Sequence, residues 1–352
     1  MTEMCIRDRN NRKVTRRTSL ATLLLLALSA DIVVRPFATQ AAASAVQSVW
    51  MAAYDTLAVL ALLALAMSGT SGSMDGLMRV QHSKPALFIW LLAFSFSGGA
   101  ALLKAEEFYR YISDVPLPAV VTAAVLLTGA GYAACCGFET LSRTAQVVFW
   151  LFAASVFLLF VSNAGGMRIT NLEWQTAPWK DSVPSAIQGF SLSAEWLLFL
   201  MMEPGGPARR LKSAAGILAK LFVLFCGLCI LSELVLGSAG AAQLQAAHTL
   251  ARLGGLSVFR RFDALHTGIW MLAMLVKLAL MIFGAKQALG RMAPQKFKAE
   301  RGIPAVFAVL AGACVAAAVP AAARGSVSTA ITAVGFAALL LAGVRRHAQC
   351  AK

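Results

Sequence analysis

Apolar runs long enough to cross a bilayer recur along the whole chain, at about 20–38, 46–67, 86–103, 117–135, 146–163, 186–203, 214–237, 263–286, 303–321 and 327–344. A spanning helix needs about 20 mostly apolar residues. In hydrocarbon each backbone N–H and C=O must be satisfied inside the segment itself, so such runs become helices. Composition agrees: 59% of the 352 residues are hydrophobic and 13% are charged, against about a quarter charged in a soluble domain. The expected fold is therefore an all-α integral membrane protein of about ten transmembrane helices. The last two runs are Ala-rich, which favours close packing against protein through small residues. Connections are short except at 164–185 and 238–262, where short surface helices or loops are expected.

A net charge of +15 does not make this a nucleic-acid-binding chain. All but Arg35, Lys220 and Lys277 of the Lys and Arg lie in the connections and ends, without interleaved exposed aromatics. Their distribution sets orientation instead. With the N-terminus inside, the cytoplasmic segments hold 20 of the 31 Lys and Arg and the external ones hold 8, Lys104 among them. Both ends are thus expected in the cytoplasm, with an even number of spans. Residues 1–19 form the cytoplasmic N-terminus. Within it Met4-Cys5-Ile6-Arg7-Asp8-Arg9 looks like a translated sequencing adapter, so residues 1–9 are set aside. Residues 20–163 form a first five-helix half, 164–185 an external loop, 186–345 a second half and 346–352 a cytoplasmic tail. The seven cysteines form no disulfide framework. Cys226 and Cys229 have redox spacing but sit inside an expected span, as buried thiols.

Charges in mid-bilayer cost about 2.5–3.5 kcal/mol each on insertion scales and mark candidate sites. Span 1 carries Asp31 and, one turn later, Arg35; span 6 carries Glu195. Leu28-Ser29-Ala30-Asp31 and Leu192-Ser193-Ala194-Glu195 echo each other at similar depth, in the first span of each half. Transporters with inverted repeats bind substrate at the midplane, where such helices are interrupted and free backbone groups face the ligand. Spans 1 and 6 are accordingly expected to be interrupted. The plainer alternative is that each acid pairs with a neighbouring basic group and holds the bundle together. In span 8, Asp263, Trp270 and Lys277 recur every seven residues and share a face. Lys277 lies too deep to snorkel, so it requires a carboxylate or carbonyl partner. The four histidines have no metal-ligand spacing, and no phosphate-cradling loop or nucleophile cluster is present. No enzymatic activity and no cofactor are expected.

Three segments carry a family resemblance. Phe259-Arg260-Arg261-Phe262-Asp263-Ala264-Leu265, followed by Ile269-Trp270-Met271-Leu272 and Val276-Lys277-Leu278-Ala279-Leu280, resembles the eighth helix of the spore-germination GerAB family. The segment from Gly131 to Ala145 is similar to that family's linker after span 4. Gly189-Phe190-Ser191-Leu192-Ser193-Ala194-Glu195 resembles its sixth helix with a central Glu. The resemblance runs from about 18 to 345. It implies two inverted five-helix repeats of the amino acid–polyamine–organocation (APC) superfamily. It also implies a germinant-receptor B subunit in a bacterial cell membrane or inner spore membrane, beside A- and C-type subunits. Such a subunit binds a small amino acid-like germinant between spans 1 and 6. Carried onto this chain, the pocket would be lined by Ser29, Ala30, Asp31, Phe190, Ser191, Ser193 and Glu195, with Lys277, Asp263 and Arg35 as intramembrane charges. A proton-coupled amino acid or amine permease of the same fold is the alternative. The family's Gly-rich stretch in span 1 is Ser29-Ala30-Asp31-Ile32 here. The bare-backbone approach that Gly allows is reduced, and an acid that repels a carboxylate favours an amine-bearing ligand, unless Arg35 neutralises it.

Overall fold

The computed structural model describes residues 20–33, 44–69, 84–113, 117–172, 192–202, 206–237, 243, 245–254, 263–292 and 302–350, the side chains of 322 and 339–350 excepted. Within these the chain is helical, without strands. In chain order the helices are α1 (Leu20–Val33), α2 (Ala45–Gly69), α3 (Lys84–Ile112), α4 (Ala119–Cys135), α5 (Phe138–Asn163), α6 (Ala194–Met202), α7 (Pro207–Leu236), α8 (Ala246–Leu253), α9 (Asp263–Met292), α10 (Gly302–Ala318) and α11 (Ala321–Cys350). Each apolar run of the sequence overlaps one helix in the described residues, and α8 is the additional one. Five (α2, α3, α5, α7 and α9) are long and apolar enough to cross a membrane, and α1, α4 and α10 are shorter apolar helices. This is compatible with a multi-pass membrane protein. So is the exterior: Trp150 is 72% exposed, and Val120, Val125, Phe157, Val223 and Phe307 also face outward. Apolar side chains spread so widely would drive a water-soluble chain to aggregate.

Local chemistry sets several helix ends. Pro207 opens α7 at N1 behind Gly206, where its missing N–H would have had no partner anyway. The link between α4 and α5 is short, and Gly137 in it takes φ 97, a conformation that a Cβ disfavours. That tight link lets α5 begin eight residues before the expected start of span 5. Similarly α3 continues nine residues past the expected end of span 3. Its extra turns carry Lys104, Glu106, Glu107 and Arg110, with Glu106 and Arg110 paired one turn apart. The long connections contain the expected short elements: two single 3₁₀ turns at Ala164–Gly166 and Ile169–Asn171, and the amphipathic α8.

Of the five long apolar helices, α3 and α9 are the most enclosed. Helix α3 packs against α9, α10 and α11; α9 packs against α4, α5 and α10; α2 packs against α7. The α3–α10 crossing is closest of these where glycines meet. A Cβ on Gly99 would stand 2.2 Å from the Ala313 nitrogen, and one on Gly312 would stand 2.1 Å from the Ser95 carbonyl oxygen. The packed interior contains Trp90, Trp196, Trp270, Phe94 and Phe199, and among them the charged side chains of Glu195 and Lys277.

Candidate functional site

Two helices meet at Lys277. Helix α1 carries Ser29, Ala30 and Asp31, and the first turn of α6 carries Glu195 just after the non-helical Leu192 and Ser193. Lys277 comes from the buried face of α9. It is 2% exposed, and Glu195 is fully buried. Lys277 Nζ donates to Asp31 Oδ2 at 2.5 Å and to Glu195 Oε1. Asp31, 26% exposed, also accepts from Lys104 Nζ at 3.1 Å through Oδ1. Two carboxylates and two ammonium groups thus balance formally to zero.

Trp270 Nε1 donates to the Ala30 carbonyl at 2.9 Å. Glu195, in the first turn of α6, meets the partially positive end of that helix. Two acceptors or donors remain without a partner: Glu195 Oε2 and Ser193 Oγ, both buried. An unpaired polar atom in the interior costs about 1–3 kcal/mol, so this is the one side of the cluster still able to take a hydrogen-bonding group.

Of the residues singled out in the sequence, Asp31, Glu195 and Lys277 come together, with Ser29, Ala30 and Ser193 beside them on the same two helix ends. Phe190, Ser191 and Arg35 lie outside the described residues. Asp31 is neutralised by Lys104 and Lys277. Asp263 does not join them. It shares the α9 face with Lys277 but stands about 21 Å away along the helix at 1.5 Å per residue. The interruption expected in span 1 is not at Ser29–Asp31, since α1 is unbroken from Leu20 to Val33. As described, α6 has nine residues and is about 13 Å long, well short of a crossing.

Lys104 was missed as a site residue because it follows the apolar run of span 3 and counts there as an external loop charge. The signal was the pairing of Glu106 and Arg110, which extends the helix beyond that run. Among the other intramembrane charges, Glu233 accepts from the Ala45 backbone N–H at the start of α2, and Lys220 is exposed. Among the described residues no group of three His, Cys, Asp or Glu side chains is placed to hold a metal ion. A cavity of about 390 Å³ lined by Ser162, Asn163, Arg168, Asn171, Val235 and Leu253 shares no residue with the charge cluster.

The cluster can do two things chemically. A competing ammonium can displace Lys277 from the carboxylates, or a proton can neutralise one of them. Either event loosens the tie between α1, α6 and α9. Compared with models of known protein families the sequence matches none, and no curated protein matches it significantly.

Proposed function

We propose that the protein is a ligand-binding membrane subunit that senses a small amine or amino acid-like molecule at a midplane site between spans 1 and 6 and signals to partner subunits. In the setting implied by its resemblance to the GerAB family, this is germinant reception beside A- and C-type subunits. The observation that carries the reading is Lys277 bridging Asp31 at the end of α1 and Glu195 at the start of α6. A tie of that kind has two states, closed when Lys277 holds both acids and open when a ligand takes its place. A ligand shifts such an equilibrium only by its differential affinity for the two states. The unpartnered Glu195 Oε2 and Ser193 Oγ give an incoming ammonium that differential contact.

The architecture proposed with it is ten spans in two inverted five-helix repeats. Pairing among the helices supports this. Exchanging each helix of one half for its counterpart, α1 with α6, α2 with α7, α3 with α9, α4 with α10 and α5 with α11, turns α9–α4 into α3–α10 and α9–α5 into α3–α11. All four contacts occur, and α2–α7 and α3–α9 map onto themselves.

Glu195→Gln tests the reading. The amide keeps the size of the side chain but weakens the charge tie and the ammonium contact. The expected result is a protein that inserts normally but loses the ligand response of the spore or cell. A normal response would remove Glu195 from the mechanism. The second reading is a proton-coupled permease, favoured by the same orphaned Glu195 oxygen, which can carry the coupling proton. Ligand accumulation in proteoliposomes containing this chain alone separates the two, since a sensor binds but does not accumulate.

A further inference from the structure

Lys104 ends the chain of ion pairs that begins at Glu195, and its surroundings set it apart from the other members. It stands on α3 just past the apolar run and donates to Asp31 Oδ1 at 3.1 Å. Exposure falls steadily along the chain, from 37% for Lys104 through 26% for Asp31 and 2% for Lys277 to 0% for Glu195. A ligand entering from the exposed end meets Lys104 first. The two acids that follow on α3 have cations of their own, Glu106 with Arg110 and Glu107 with Arg324. Asp31 keeps Lys277 on Oδ2 at 2.5 Å if Lys104 turns away. Lys104 is therefore the one member of the cluster that can turn to another anion without stranding a buried charge, and its long stem lets the ammonium swing.

We propose that Lys104 is a specificity-determining residue: it receives the anionic group of a zwitterion whose ammonium goes to Glu195, so that the site prefers a zwitterion to a bare amine. The inference rests on the ligand site proposed above and narrows what that site accepts. Charge balance argues for it. Asp31, Glu195, Lys104 and Lys277 already sum to zero. A bare ammonium added to them leaves an unbalanced positive charge, and a bare carboxylate leaves a negative one, in surroundings where unpaired charge is costly. A zwitterion keeps the sum at zero and brings a partner for each charge it displaces. An uncharged guest would part the existing ion pairs and replace neither side.

The backbone gives the anion no better place. A helix interrupted in mid-span has free N–H groups that can hold a carboxylate. Here α1 is unbroken from Leu20 to Val33, so the N–H groups of Ser29, Ala30 and Asp31 are committed to carbonyls four residues back. The first N–H groups of α6 adjoin Glu195 itself, whose carboxylate repels a second anion. Its buried Oε2, without a hydrogen-bond partner, suits the ammonium instead. Among the described residues Lys104 is the cation that is both joined to the cluster and partly exposed.

The test titrates the full chain in nanodiscs by calorimetry. The probes are the common neutral α-amino acids, each beside the primary amine left when its carboxyl group is removed. At least one amino acid should bind saturably and about tenfold or more tighter than its amine, the worth of one hydrogen bond between charged groups. Lys104→Met should reverse that order, because the cluster then carries an excess negative charge that an ammonium alone balances. Lys104→Arg should keep the wild-type order. Wild-type protein that binds the amine as tightly as the amino acid would overturn the role of Lys104 and leave the site standing. So would an unchanged preference in Lys104→Met, or an equal weakening of both ligands, which would mark Lys104 as structural. No saturable binding of either kind, or binding indifferent to Glu195→Gln, would overturn the site itself and the inference with it. Should Lys104→Met fail to fold, Lys104→Gln, uncharged but still a donor, decides in its place, with the same reversal expected.

Discussion

Lys277 is the residue on which the arrangement turns, because a buried ammonium is tolerable only with its counter-charges in place. Removing one partner of a buried ion pair costs about 3–5 kcal/mol, since the remaining charge is left uncompensated. Lys277→Met leaves Glu195 with no cation and Asp31 with Lys104 alone. The expected outcome is a loss of that order, read as a lowered melting temperature in detergent at neutral pH. Adding Glu195→Gln to Lys277→Met should recover part of the loss, because the stranded carboxylate is then gone. A double variant no more stable than the single one would mean that Glu195 is not the destabilising group. The sequence showed that Lys277 requires a partner but not which one. Asp31 is 246 positions away and Glu195 is 82, and no periodicity within one helix carries that information.

At the scale of elements, close packing and docking make separate predictions. Helices α3 and α10 approach so tightly at Gly99 and Gly312 that side chains cannot be accommodated without moving backbone. Overpacking of this kind costs about 1–3 kcal/mol or more. Gly312→Val should lower the thermal stability by at least that amount, whereas Gly325→Ala, with nothing near its Cβ position, should be close to neutral. Equal effects of the two would reject the crossing as a tight one. Helix α8 docks through His248, whose pKa is depressed by burial. The folded state therefore binds fewer protons than the unfolded one below the ordinary histidine value of about 6.5. Docking is fully stabilised above that value and weakens as pH falls toward the depressed one. Amide exchange of residues 246–253, corrected for intrinsic rates, should accelerate over that range, and His248→Gln should abolish the dependence. Arg252 on the same helix, Asp263 and His266 on α9 and Tyr111 on α3 are the ionisable groups around His248.

For the whole molecule the prediction concerns topology. The excess of Lys and Arg on one side predicts that both ends lie in the cytoplasm, which requires an even count of spans. A fluorescent reporter should therefore fold at either terminus, and a periplasmic-type phosphatase fused there should be inactive. Phosphatase activity at one end alone would require an odd number of crossings and would break the two-half arrangement.

Helical class, the approximate position of the apolar helices and the burial of Glu195 and Lys277 were legible in the sequence. These depend on local quantities, namely run length, hydropathy and the cost of a charge in hydrocarbon. Some features needed the tertiary structure. It decided that α3 runs on to bring Lys104 to Asp31, that Trp270 holds the Ala30 carbonyl, and that Asp31 and Glu195 share one lysine while Asp263 stands apart. Each depends on which helix ends meet, and that is settled by packing across the chain, where a close glycine contact or a buried counter-charge is worth more than anything a single helix encodes about itself.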